Sequence, residues 1–170
     1  MAETKEIILT KIGMEALRSG LEYLKTTKRS EITEKIKTAR GFGDLSENAE
    51  YDEAKNEQAE VESKINQLMN ILKYTRTLTD DEITAGEVCI GNTIEIQEVG
   101  EDEIERYAVV SKDEIEIYAI LNSDMEDVLL SANSPVGKAL LGHKAGETVS
   151  VETPACTIDF VIKSVCKYEN

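Results

Sequence analysis

The chain has 170 residues, a formal charge of −15, and 31% charged side chains against 41% apolar ones. That leaves room for one ordinary domain or two small ones, and the composition suits a long solvated helical element joined to a modest core. No apolar run approaches the roughly 18 residues of a membrane span, Val128-Leu129-Leu130 and Ala139-Leu140-Leu141 being among the longest, and Met1 to Thr10 has no apolar stretch of signal-peptide length, so a cytoplasmic protein is expected.

Charge is divided unevenly. Up to Leu78 there are 13 Lys/Arg and 14 Asp/Glu, whereas from Thr79 onward there are 6 and 20. The second half would repel a phosphate backbone, which disfavours generic nucleic-acid binding there. The first half is locally basic, with Lys25, Lys28, Arg29, Lys35, Lys37 and Arg40 preceding an acidic stretch. Cys89, Cys156 and Cys166 are odd in number and widely spaced, and His143 is the one histidine. Neither a disulfide framework nor a zinc site is expected from that set, and buried reduced thiols are the reading.

In the first segment Met14, Leu17, Leu21 and Leu24 step by 3, 4 and 3, the spacing of a coiled-coil seam. The stripe continues as Lys28, Ile32, Ile36 and Ala39, reaching Ile36 in steps of four that shift it and locally unwind any supercoil, with a step of three to Ala39. Thr10 can cap the start, and Gly41 and Gly43 around Phe42 end the helix. A second helical segment holds the 3-4 alternation through Tyr51, Ala54, Gln58, Val61, Ile65, Leu68, Leu72 and Thr75, with no proline or glycine from Asp44 to Asp81. The short connection forces the arms to return antiparallel, and about 30 residues per arm at 1.5 Å each make a rod roughly 45 Å long.

Gly43-Asp44-Leu45-Ser46-Glu47-Asn48-Ala49-Glu50-Tyr51 joins the arms, with Asp44, Glu47 and Glu50 recurring every third residue. Carboxylates on the end of a narrow rod can carry metal-binding charge into a deep site on another molecule. Asp44-x-x-Glu47 is also the pattern of a helix capping box, with Asp44 as N-cap. Tyr51 falls on the seam, where core packing explains it as well as a catalytic role would.

Thr79 to Ile83-Thr84 reads as a linker, and alternation replaces helical periodicity after it. Strands are expected around Val88 to Ile96, Tyr107 to Val110, Ile115 to Leu121, Val149 to Val151 and Ile158 to Ile162. Ser134 as N-cap, Pro135 at the first helical position and Gly142 past the end mark one short helix. The expected organisation is therefore α+β: a coiled-coil hairpin over 1–78, a linker over 79–84, and a small domain over 85–170 with a curved antiparallel sheet on one helix.

The joining motif resembles the tip of the Gre family of bacterial transcript cleavage factors, in which the fourth residue of the motif varies. Asn133-Ser134-Pro135-Val136-Gly137-Lys138-Ala139-Leu140-Leu141-Gly142 resembles the same family's C-terminal domain, and the likeness spans nearly the whole chain. It implies an N-terminal antiparallel coiled coil and a C-terminal domain of FKBP-like fold. The family is implied not to be an enzyme on its own. It enters the secondary channel of RNA polymerase and stimulates that enzyme's cleavage of backtracked RNA.

Carried over by motif, Asp44 and Glu47 help hold a Mg²⁺ ion at the polymerase active site, which the free protein does not bind tightly. Arg40 and Lys55 face the nascent RNA 3′ segment, and Ser134 and Pro135 fall in the polymerase-docking loop. A monomer is implied. Departures are Ser111-Lys112-Asp113-Glu114-Ile115-Glu116, where relatives run from a Val-Gly turn into Glu-Ala-Asp, and Ala155-Cys156, where Gly-Gly is common. Competing readings are a channel regulator without cleavage activity, a peptidyl-prolyl isomerase using Tyr107, Tyr118, Phe160 and Tyr168, and a coiled-coil chaperone.

Overall fold

The computed structural model describes residues 5–43, 48–123 and 128–169. They form two compact units. One holds Glu15–Thr75; the other joins Glu6–Met14 to the chain from Arg76 onward. Among the described residues no helix is long and apolar enough to cross a membrane.

The first unit is the helical hairpin. Its first arm runs through α1 (Lys11–Tyr23), one π-helical turn (Leu24–Lys28) and α2 (Arg29–Arg40), and its second arm is α3 (Ala49–Lys73). Leu17, Leu21, Leu24, Ile32, Ile36 and Ala39 are buried on one arm, and Ala54, Val61, Ile65 and Leu68 on the other.

The π turn accounts for the shift of stripe seen in the sequence. In an unbroken α-helix the eight residues from Leu24 to Ile32 would carry Ile32 about 80° around the axis. A wider turn, closing i to i+5, takes up the surplus residue, and both side chains stay in the seam at 8% and 1% exposure.

Ion pairs lace the arms together and show their direction: Arg29 meets Glu62 at 2.7 Å while Lys35, further along, meets Glu57 at 2.7 Å, so the second arm runs antiparallel. Lys28 also reaches Glu57 at 2.7 Å. Hydrogen bonds from Lys28 and Lys35 hold the Glu57 carboxyl below its usual range, and those from Arg29 do the same for Glu62. Lys28, Arg29 and Lys35 are thus partners of the coil's own glutamates.

In the second unit β1 (Ile7–Leu9) pairs with β2 (Thr75–Thr77), a small sheet that the sequence pattern did not announce. The main sheet is built from β3 (Asn92–Glu98), β4 (Ile104–Val110), β5 (Leu129–Ser131), β6 (Thr148–Glu152) and β7 (Thr157–Lys167), in the order β5-β4-β3-β7-β6. All pairs are antiparallel except β4 with β5. Ile94, Ile96, Val109, Val151 and Ile162 alternate inward from the strands, and Leu140 of α5 (Pro135–Leu140) packs on them.

The strand expected over Ile115 to Leu121 is instead the helix α4 (Lys112–Leu121). Two parallel neighbours need a crossover, and α4 lies between β4 and β5 in the chain, where such a connection belongs. Its isoleucines suggested a strand, yet the buried positions Glu114, Ile117 and Tyr118 fall at helical spacing. Ser111 caps it by accepting from Glu114 N at 3.2 Å. Ser111-x-x-Glu114 is a helix-start signal that the strand expectation did not take into account.

Glu114 is fully buried, and its carboxylate accepts from Thr10 N at 2.9 Å and Thr10 Oγ1 at 2.6 Å. Thr10 Oγ1 in turn accepts from Gly13 N at 3.0 Å, so the expected cap of α1 is present and is itself held by Glu114. A Cβ on Gly13 would fall inside the Glu114 carboxyl group, so glycine is required there for space. The cysteines differ from expectation: Cys156 and Cys166 are exposed and Cys89 is half-buried. The alternating pattern of β7 leaves Cys166 on its exposed end, and Cys156 sits in the turn closed by Thr153.

Candidate functional site at the hairpin end

The first arm stops at Arg40. Gly41 N donates back to Lys37 O and Thr38 O, Phe42 N to Ala39 O at 3.2 Å, and Gly43 N to Arg40 O at 3.2 Å. Gly41 keeps helical dihedrals, and the left-handed turn falls at Gly43, with φ +94°. A side chain there would be strained, which explains the glycine of the Gly-Asp pair. Phe42 is 67% exposed, so it does not pack the hairpin end.

The second arm starts at Ala49 with Asn48 as its N-cap. Asn48 Oδ1 accepts from Tyr51 N at 3.1 Å, and its Nδ2 donates to Ala39 O at 2.6 Å on the opposite arm. The cap of α3 is therefore Asn48 rather than Asp44, and the capping-box reading of Asp44-x-x-Glu47 does not hold for this helix. Asp44 and Glu47 themselves lie outside the described residues. Glu50 and Asp52 occupy the first turn of α3, where negative charge suits the helix N-terminus.

Arg40, the last residue of α2, places its guanidinium 5.9 Å from the centre of the Tyr51 ring, across the two arms. Lys55, exposed on α3, donates from Nζ to Gln58 Oε1 at 2.9 Å. A groove of about 400 Å³ opens on the hairpin between Glu31 and Glu34 of one arm and Glu50, Glu53 and Glu57 of the other. Its five glutamates outweigh the one lysine that lines it, Lys35, and repel phosphate. Lys37, Arg40 and Lys55 are cations near the hairpin end without a described ion-pair partner.

Ser134 and Pro135 belong to the other unit. Ser134 Oγ accepts from Gly137 N at 3.0 Å and donates to Ser131 O at 2.7 Å, so its hydroxyl is committed to capping α5. Pro135, at the first helical position, is exposed. Of the aromatic residues an isomerase would use, Phe160 is in the core and Tyr118 is buried on α4, while Tyr107 and Tyr168 are half-buried.

A family model described as "Transcription elongation factor, N-terminal" matches residues 7–76, and one described as "Transcription elongation factor, GreA/GreB, C-term" matches residues 83–167. The chain belongs to the GreA/GreB family of transcription elongation factors. Among its relatives, transcription elongation factor GreA of Caldanaerobacter subterraneus subsp. tengcongensis is 46% identical, over 95% of this chain and 98% of that protein. GreA of Thermoanaerobacter pseudethanolicus is 44% identical, over 96% of this chain and 99% of that protein. A crystal structure of GreA factor homolog 1 from Thermus thermophilus is similar at 29% identity, covering 95% of this chain and 99% of that one, with a TM-score of 0.41.

In this GreA/GreB-family chain, reasoning from the sequence missed the part played by Asn48. It was quoted within the motif but given no role, because the acceptor of its Nδ2 lies nine positions back on the other arm. The signal available was its place directly before an alanine-led helical run, since asparagine is a favoured N-cap.

Proposed function

We propose that this family member stimulates Mg²⁺-dependent cleavage of backtracked RNA by bacterial RNA polymerase, rescuing arrested elongation complexes. The hairpin enters the polymerase secondary channel, and the loop around Ser134 and Pro135 docks at its rim. The protein works as a cytoplasmic monomer, and the bond-breaking active site is the polymerase's own. The reading is carried by the motif from Gly43 to Tyr51, in which Asn48 caps α3.

Two carboxylates are hard oxygen donors of the kind Mg²⁺ accepts while keeping several waters. Asp44 and Glu47 would hold the ion jointly with the polymerase. When bound, a second metal supplies charge stabilisation to the attacking and leaving oxygens of an in-line displacement. The chain's own residues do the remaining work: Arg40 and Lys55 offer positive charge to the RNA 3′ segment, and the arms carry the tip to depth.

Incubation with a stalled, backtracked elongation complex carrying labelled RNA tests the reading. Release of a short 3′ fragment that requires both Mg²⁺ and this protein is expected. Binding to polymerase without any release of RNA would instead make the protein a channel regulator.

A further inference from the structure

Asn48 does more than cap a helix. Its carboxamide presents an acceptor and a donor from one trigonal carbon, and the two point to different arms: Oδ1 to Tyr51 N at 3.1 Å and Nδ2 to Ala39 O at 2.6 Å. Flipping the amide would set donor against donor and oxygen against oxygen, so only this orientation satisfies both partners. Ala39 is itself buried at 2% exposure, the last seam residue of its arm, which makes its carbonyl a fixed anchor. Arg40 over the Tyr51 ring is a second contact across the arms, one residue along from Ala39 and within the same first turn of α3.

The chain between the two anchors runs from Arg40 to Glu47, directly before Asn48. We propose that Asn48 is a positioning residue for the tip carboxylates, joining the last turn of α2 to the first turn of α3 and so setting the spacing and register of the two ends between which Asp44 and Glu47 are carried. The proposal rests on the cleavage-factor reading. Catalytic constellations tolerate little slack, and a displacement of about 1 Å is enough to lose roughly a hundredfold in rate. A tie that removes freedom from both loop ends at once is one way to hold such tolerance on a loop.

Two substitutions separate the tie from the cap. Aspartate and serine are both good N-caps, but aspartate has no donor and the serine hydroxyl is too short to span the arms. Asn48→Ser and Asn48→Asp should therefore keep the α3 cap and its helicity, losing only the modest stability of the missing bond to Ala39 O, with serine guarding against an effect of added charge. The full-length variants are compared with wild type on backtracked complexes, across factor and Mg²⁺ concentration. In parallel, the Asn48 side-chain amide protons are followed by NMR in the free protein.

The expected result is a maximal cleavage rate lowered about tenfold or more in both variants, less than the full hundredfold because the arms still pair. The half-saturating factor concentration should stay within about twofold, since docking is elsewhere. In wild type one Asn48 amide proton should be shifted downfield and slow to exchange. An active wild type with a fully active Asn48→Ser overturns the positioning role alone. Loss of rate only in step with loss of helicity also overturns it, by reducing Asn48 to a cap. A wild type that stimulates no cleavage, while its Asn48 amide is protected, defeats the functional reading and the positioning role with it.

Discussion

Glu114 holds Thr10 through two hydrogen bonds, from backbone N at 2.9 Å and Oγ1 at 2.6 Å, in a site where the carboxylate has no solvent exposure. The bond joins residues 104 positions apart and secures the start of α1 within the second unit. Burial pushes the Glu114 carboxyl above its ordinary value, against the pull of the Thr10 bonds and the Tyr118 hydroxyl. Glu114→Ala should destabilise the second unit by about 1–3 kcal/mol, because it strands the donors of Thr10. The sign of the pH dependence follows from the raised value. The folded protein holds the proton more tightly than the unfolded chain, so the contribution of Glu114 falls as pH rises from the ordinary 4.5 through the raised folded value. Urea unfolding of wild type and Glu114→Gln across that window should show wild type losing stability relative to the variant as pH rises. A difference moving the other way would place the carboxylate in a net favourable field.

Gly13→Ala should destabilise by about 1–3 kcal/mol, the usual range for overpacking, since its new Cβ overlaps the Glu114 carboxyl. Combined with Glu114→Ala the effect should be well below additive, because the overlapping group is gone. A double-mutant cycle by thermal unfolding measures the coupling, and strict additivity would mean the clash is relieved by movement elsewhere.

The π turn predicts an asymmetry between two single-residue deletions. Removing Thr27 restores seven-residue spacing from Leu24 to Ile32, so the hairpin should keep its helicity and lose less than about 1 kcal/mol. Removing Thr33 from α2 throws Ile36 and Ala39 off the seam and should cost about 2 kcal/mol or more. Circular dichroism melts of the full chain check both, and equal losses would remove the surplus-residue account of the turn.

Asp44→Asn and Glu47→Gln should each abolish stimulated cleavage while folding and polymerase binding stay near wild type. The cap of α3 is Asn48, which both changes leave in place. Rate and affinity measured on the same backtracked complexes separate the two effects, and a wild-type rate in either variant excludes that residue as a ligand.

Lys55→Gln should weaken cleavage most in complexes with long extruded RNA, and the deficit should shrink as salt rises, because a Coulomb contact near a surface is screened over about 8–10 Å. Arg40→Gln should show the same salt-dependent loss plus a part that salt does not remove, since it also loses its place over Tyr51. Crosslinking of the RNA 3′ end to the hairpin, with equal yields in wild type and both variants, would leave these residues as surface charge.

The hairpin was legible because its information is local. Leu17, Leu21 and Leu24 declare the seam by spacing alone, the steps of four that follow mark where the π turn lies, and the Ser134-Pro135 start of α5 is a signal of adjacent residues. The tip motif was equally legible as a motif, being nine consecutive residues. Local signals failed where two of them competed. In α4 the β-branched isoleucines favoured a strand and the Ser111 cap favoured a helix, and the need for a crossover between β4 and β5 decided it.

By itself the sequence determined the two-arm seam, its antiparallel return, the acidic character of the loop between the arms, and the family, because each rests on residues a few positions apart or on a contiguous motif. The tertiary structure alone decided that Glu114 belongs with Thr10, that Gly13 is small to admit a carboxylate, and that Asn48 rather than Asp44 caps α3 while reaching Ala39. The reason is physical. A hydrogen bond between distant residues leaves no period in the chain, and the identity of its acceptor exists only once two segments have been packed side by side.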